Sequence, residues 1–214
     1  MTRRDFTPAL GRFASVRFYD LAASVTRERA WRKLVVEHIA ARDDDLVVDV
    51  GCGTGTQALL LRADNSRTRI IGVDPDPDAL SIAERKCATS GIELRQGMGD
   101  ELEAVVGAGT ASVIASSLMF HHCPMAMKRA VLASMRAVLK PGGRLVIADF
   151  GRQRTALMRT AFRIIELADG AETTRPNAEG VLPSLISEAG FRDVREAEVV
   201  PTPTGTISIY VAAV

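Results

Sequence analysis

Apolar and polar positions follow two rhythms along this 214-residue chain. Short, β-branched apolar runs at 46–50, 69–73, 92–95, 111–116 and 143–149 read as strands. Longer segments at 55–63, 77–89, 125–139, 154–169 and 178–189 read as helices. Ahead of the first strand, Trp31, Leu34, Val35, His38 and Ile39 recur at helical spacing, which predicts an amphipathic helix packed on a sheet. Asp43-Asp44-Asp45 ends that helix. Regular alternation of strand and helix implies parallel pairing through right-handed crossovers, with both sheet faces covered. The last two strand-like runs, Phe191 to Val200 and Thr206 to Ala213, are joined only by Pro201-Thr-Pro-Thr-Gly205. So short a link permits antiparallel pairing alone. The expected fold is therefore α/β: a doubly wound, mostly parallel seven-stranded sheet with a C-terminal antiparallel hairpin. Residues 1–26 read as irregular, with helical stretches possible around Phe13 to Ala23.

Bulk properties narrow the function classes. The length suits one domain with a real core, and 47% hydrophobic content excludes a disordered chain. A net charge of +1 argues against a dedicated nucleic-acid binder. No stretch resembles a signal peptide or approaches the roughly 20 apolar residues of a membrane span. Cys52, Cys87 and Cys123 are odd in number and widely spaced, which fits reduced thiols and a cytoplasmic protein.

The most informative stretch is Leu46-Val-Val-Asp49-Val-Gly51-Cys52-Gly53-Thr-Gly55. A buried strand runs into three glycines at alternate positions, a turn that lets a ligand approach bare backbone. A helix beginning at Gly55 or Thr56 would aim its N–H groups at that ligand. A dinucleotide fingerprint places its third glycine one residue later, where this chain has Thr56. The spacing therefore favours a ligand without a pyrophosphate. Asp74, just past the second strand and followed by Pro75 and Pro77, is placed to accept both hydroxyls of a ribose; a carboxylate at a helix start is the alternative. In Gly97-Met98-Gly99-Asp100-Glu101, Asp100 is placed to accept from the exocyclic amine of a base, or to cap its own loop. Ser116-Ser117-Leu-Met119-Phe120-His121-His122-Cys123 leaves the sheet beside the glycine loop. Adjacent histidines usually point apart and the cluster lacks standard ligand spacing, so no metal is expected. One histidine should face the ligand pocket and the other serve the fold.

Asp-Val-Gly-Cys-Gly-Thr-Gly, Gly72-Val-Asp-Pro and Leu139-Lys-Pro-Gly-Gly-Arg-Leu together resemble the class I S-adenosylmethionine-dependent methyltransferase family, in order and spacing, over about residues 30–150. Phe18-Tyr19-Asp20 and Phe120-His121-His122 resemble its ubiquinone and menaquinone biosynthesis branch. The resemblance implies a Rossmann-like fold with S-adenosyl-L-methionine as cofactor and S-adenosyl-L-homocysteine as product. It implies that Asp49, Gly51, Cys52, Gly53 and Gly55 line the methionine part, and that Asp74 with Pro75 holds the ribose. By the same resemblance Gly99, Asp100 and Glu101 hold the adenine, Ser116 or Ser117 the edge near the sulfonium, and Tyr19 belongs to an amino-terminal lid. The chain departs from the family pattern after Asp100, where Glu101-Leu102-Glu103 follows directly.

On this reading the chain is one domain: cap or lid helices in 1–42, a cofactor-binding core in 43–150, a substrate-selecting insertion in 151–180, and a terminal helix and hairpin in 181–214. Methyl transfer is a displacement at carbon, so alignment of the reactants is the protein's main task. His121 and His122 are the candidate catalytic groups, since histidine titrates near neutral pH; Asp149 is a further proton acceptor. In the insertion, Leu157, Met158, Ala161, Ile165 and Ala168 share a helix face, with Arg152, Arg159 and Arg163 opposite. Those arginines are solvated, or they meet an anionic substrate or a lipid surface. The acceptor is expected to be a small molecule presenting an oxygen, carbon or nitrogen nucleophile. Peripheral membrane contact and either a monomer or a homodimer fit the sequence. The rival readings are a methyltransferase acting on a lipid or quinone at a membrane surface, a nicotinamide-dependent oxidoreductase, and a non-catalytic cofactor-binding scaffold.

Overall fold

The structure, a computed structural model, describes residues 28–214; Tyr19 and the stretch from Phe13 to Ala23 lie outside the described residues. The chain proceeds through α1 (Glu28–Ile39), β1 (Leu46–Val50), α2 (Thr56–Asp64), β2 (Arg69–Asp74), α3 (Pro77–Cys87), β3 (Glu93–Gln96), α4 (Leu102–Val106) and β4 (Ala111–Ser117). A 3₁₀ turn (Phe120–His122) follows, then α5 (Met125–Val138), β5 (Leu139–Phe150), α6 (Ala156–Asp169), α7 (Ala171–Glu179), α8 (Leu182–Glu188), β6 (Arg192–Thr202) and β7 (Gly205–Ala213). The strands form one seven-stranded sheet in the order β3-β2-β1-β4-β5-β7-β6. Pairing is parallel from β3 through β5, and β7 runs antiparallel to both its neighbours.

Strand periodicity explains why both faces are dry. Val47, Ile70, Val113, Ala115, Val146 and Ala148 pack with Trp31, Val35 and Ile39 of α1, Ala58 and Leu61 of α2 and Phe162 of α6. Val48, Val50, Ile71, Val73, Ile114 and Leu145 pack with Val131, Leu132 and Met135 of α5 and Leu185 and Ile186 of α8. Neighbouring residues of one strand thus serve opposite cores, the mark of a sheet buried on both sides. The order reverses between β1 and β4, and such switch points open a crevice beyond the carboxyl ends of the strands.

Local chemistry sets the helix starts around that crevice. Asp76 caps α3 by accepting from the N–H groups of Asp78 and Ala79, and Pro77 occupies the first turn. Gly55, at φ 78°, lets the chain turn directly from the loop into α2.

The expected helix 178–189 is two helices. Gly180 closes α7 in the left-handed region at φ 92°, and α8 starts afresh with Pro183 in its first turn. β5 begins at Leu139, earlier than the expected 143, because Leu139 pairs with Ala111 before the ladder shifts register and resumes at Arg144. α6 buries Phe162 and leaves Leu157 80% exposed, so Leu157 belongs to the outer face and not with Met158 and Ile165. The hairpin turn is tighter than the sequence suggested, since Thr202 already pairs with Gly205. Pro201 is tolerated because β6 is the sheet's edge.

Candidate active site

The carboxyl ends of β1, β2, β3, β4 and β5 bring the sequence-predicted residues to one rim. The glycine loop is anchored from beneath, where the N–H groups of Gly51 and Cys52 both donate to the Val73 carbonyl, at 2.8 and 3.1 Å. Gly51 sits at φ 73°, and a Cβ there would meet Met119 Cγ at 2.6 Å. Backbone conformation and close approach both demand glycine. Gly53 (φ 51°) has nothing within 4 Å of where its Cβ would stand, so its bare backbone borders open space. Cys52 is buried with its sulfur toward Gly72, where burial and the carboxylates of Asp49 and Asp74 push the thiol well up. The Cys52 side chain is thus part of the core, and only its backbone faces the loop.

Asp74 ties loop and strand together. Its Oδ2 accepts from the Gly53 N–H at 2.8 Å and its Oδ1 from the Asp76 N–H at 2.9 Å. A carboxylate offers about four acceptor sites, so one donor on each oxygen leaves lone pairs over. Burial raises the Asp74 carboxyl, and the two backbone N–H groups oppose that rise. Pro75 follows directly, with its carbonyl accepting from Gln96 Nε2 at 3.2 Å.

Asp49 has the most telling environment. It lies in the middle of the sheet, paired in register with Gly72 and Ala115, and is 1% exposed. Both of its carboxylate oxygens lack a hydrogen-bond partner. Burial pushes its carboxyl up to about 7; Arg32 of α1 opposes the shift and Asp74 adds to it. A buried carboxylate left this way costs the fold several kcal/mol unless a cation meets it.

The third loop places Gly99 against Val131, and Glu101 at the N-cap of α4, with its N–H donating to the Met98 carbonyl. Asp100 is half-buried in the same turn. At the end of β4 the two serines diverge. Ser116 is fully buried and donates to the Val50 carbonyl at 2.8 Å, which commits it to the strand pair. Ser117, only partly buried, keeps a hydroxyl oxygen without a partner.

The histidines stand next door. The 3₁₀ turn brings the rings of His121 and His122 together, with centroids 3.9 Å apart and planes tilted by 41°. His121 Nδ1 lies 2.9 Å from Asp149 Oδ1, and His121 Nε2 lies 3.7 Å from Asp169 Oδ2. Asp149 also accepts from the N–H groups of Phe120 and Phe150 and from Asn177 Nδ2, which fixes its orientation. These donors and the neighbouring His121 and Lys128 hold its carboxyl below the ordinary value despite full burial. His122 Nδ1 is buried without a partner, and burial beside His121 pushes its pKa down to about 3. His122 is therefore neutral at physiological pH and too weak a base to carry a proton there.

Sequence reasoning missed several parts of this rim. Lys128 is fully buried and donates to the Phe120, Cys123 and Thr173 carbonyls, which clamps the histidine turn. A trace of it was legible, since Lys128 stands at helical spacing with Val131, Leu132, Met135 and Val138 of the buried face. Lys86 reaches from α3 to the hydroxyls of Thr54 and Thr56 at 3.2 and 3.0 Å. Arg32, Asp169 and Asn177 carried no local signal; the fold alone brings them in.

A doubly wound sheet with a lone antiparallel strand, a glycine cradle and an acidic residue on each of the first two strands is an architecture that seats a nucleoside-type ligand beyond the carboxyl ends of its strands. A family model described as a methyltransferase domain matches residues 47–143. The chain is 30% identical to a demethylmenaquinone methyltransferase of Deinococcus radiodurans over 149 residues, 68% of this chain and 61% of that protein. It is 25% identical to the ubiquinone/menaquinone biosynthesis C-methyltransferase UbiE of Syntrophotalea carbinolica, with 86% of this chain and 82% of that protein covered. In fold it resembles an O-methyltransferase family protein of Burkholderia thailandensis, with a TM-score of 0.73 at 17% identity, over 92% of this chain and 59% of that one. The match thus spans about three fifths of the length of the first of these relatives. Residues 47–143 thus make up a methyltransferase domain, and the chain is similar to quinone-biosynthesis methyltransferases beyond it.

Proposed function

We propose that this protein transfers a methyl group from S-adenosylmethionine to a small-molecule acceptor. The observation that carries the proposal is the buried, partnerless carboxylate of Asp49 beside the bare loop at Gly53. An aminoacyl ammonium supplies the positive charge and the hydrogen-bond donors that this carboxylate lacks. Asp74, backed by Pro75, has lone pairs left for two vicinal hydroxyls. Gly99, Asp100 and Glu101 border the adenine, and Ser117, in preference to the committed Ser116, offers its hydroxyl near the reacting sulfur. The cofactor, when bound, supplies an activated methyl group for displacement. What this chain adds is orientation, worth up to roughly 7–11 kcal/mol for well-aligned reactants. The histidine turn adjoins the cradle through Met119, which packs on Gly51. His121, fixed by Asp149, and His122 thus line the side of the cradle from which the acceptor would approach.

Titration calorimetry with S-adenosylhomocysteine and with NAD separates the main rivals. Binding of the first and not the second is expected; NAD binding alone overturns the assignment. Incubation with labelled methyl donor and metabolite extracts then identifies the acceptor, and no transfer across a broad panel would favour a scaffold.

A second reading places the acceptor, a lipid or quinone, at a membrane surface. It is supported by Leu157, Ile164 and Leu167, which are 80, 60 and 87% exposed along α6, and by the exposed arginines Arg159 and Arg163 on the same helix. No helix among the described residues is long and apolar enough to cross a membrane, so contact would be peripheral. Sedimentation with anionic liposomes at low salt decides it, and absence of co-sedimentation rejects the membrane version.

A further inference from the structure

We infer that His121, His122 and Asp169 form a binding site for one divalent transition-metal ion, of the kind that accepts imidazole and carboxylate together, as Zn²⁺ does. One ligand atom from each of the three side chains lies within 4.8 Å of the other two. His121 Nε2 and Asp169 Oδ2 are 3.7 Å apart, close to the ~3.4 Å edge of a tetrahedron with metal–ligand bonds of about 2.1 Å. The sequence argued against a shared ion because neighbouring histidines diverge; the 3₁₀ turn removes that objection by bringing the two rings to 3.9 Å.

Three independent features of the surroundings point the same way. Asp149 holds His121 Nδ1 at 2.9 Å, so the Nδ1 proton belongs to that hydrogen bond and the Nε2 lone pair faces Asp169. A carboxylate behind a ligating histidine is the usual device for fixing tautomer and ring orientation in metal sites. Asp149 is itself held by two backbone N–H groups and by Asn177, so this outer support is complete. Next, His122 Nδ1 is a buried nitrogen with no partner. Such a nitrogen is disfavoured until a hydrogen-bond donor or a metal ion meets its lone pair. Finally, Asp169 is the last residue of the 14-residue α6, so its carboxylate stands at the negative end of a helix dipole, where a cation is favoured. Lys128 sits behind the same loop, but its ammonium is engaged by three carbonyls.

Two imidazoles and one carboxylate leave at least one coordination position open. The ion would tie the end of β4 to the end of α6, joining the cofactor core to the region expected to select the substrate. The inference goes beyond methyl transfer and does not depend on it. Its failure would leave cofactor binding by Asp49 and Asp74 as it stands.

The chain is stripped with chelator and titrated with Zn²⁺, with bound metal counted by mass spectrometry and heat followed by calorimetry. One ion per chain is expected, with affinity falling at least tenfold in both His122→Gln and Asp169→Asn and unchanged in Cys123→Ser. Substitution with Co²⁺ reads the ligand set in the unaltered protein, so the test survives if a variant fails to fold. Strong d–d absorption of a four- or five-coordinate ion without a thiolate charge-transfer band supports the site. No stoichiometric binding, affinity unaffected by the first two substitutions, or a thiolate band overturns it.

Discussion

Replacing Asp49 by Asn should make the ligand-free protein more stable and a poorer cofactor binder, by amounts that depend on pH. Burial holds the Asp49 carboxyl at about 7, against 3.8 for the free group. Between those values the folded state keeps a proton that the unfolded state has released. Stability contributed at low pH is therefore lost as pH rises from about 4 to 7, and no further loss follows above that. At about 1.4 kcal/mol per tenfold change in proton affinity, the full loss is on the order of 4 kcal/mol, an upper figure because Arg32 can shift toward the charge. Asn carries no charge and keeps the shape. Urea unfolding of parent and variant near pH 4, 6 and 8 isolates this group, because titrations not coupled to Asp49 cancel in the difference. The two proteins should be close to equal at the lowest pH, and the variant should gain steadily to a plateau above pH 7. Calorimetry at pH 8 should show S-adenosylhomocysteine binding weakened at least tenfold by the same substitution. A stability difference that is the same at all three pH values, or a variant that binds as tightly as the parent, would refute the role assigned to the partnerless carboxylate.

Two further substitutions probe the rim around it. Gly51→Ala puts a Cβ 2.6 Å from Met119 Cγ at a positive φ, so a loss of roughly 1–3 kcal/mol and a tenfold or greater loss of S-adenosylhomocysteine affinity are expected; unchanged affinity by calorimetry would mean that the loop does not hold the ligand. Lys128→Met removes the donor that the Phe120, Cys123 and Thr173 carbonyls share, which should cost about 3 kcal/mol and lower the melting temperature by several degrees in a thermal scan; an unaltered melting temperature would show that the clamp on the histidine turn is dispensable.

The sequence by itself determined the sheet and the acidic cradle. Short β-branched apolar runs, each followed by an amphipathic helix, leave few alternatives to a doubly wound sheet, and the link after Pro201 leaves only a hairpin. Gly51, Gly53 and Asp74 were legible because backbone conformation and short-range geometry restrict residue choice at a strand end, and such restrictions are written locally. Tertiary structure alone decided the rest. Ser116 and Ser117 look alike in the chain, yet register with Val50 buries one hydroxyl in the sheet and leaves the other without a partner. Leu157 and Phe162 are equally apolar, and only the seat of α6 on the sheet decides which of them is buried. The setting of the histidines depends on Asp149, which the sequence offered only as a free-standing proton acceptor, and on Asp169 and Asn177, which carry no periodic or motif signal. Contacts made by single polar side chains between distant parts of the chain follow from where whole elements pack, so no local pattern in the sequence can announce them.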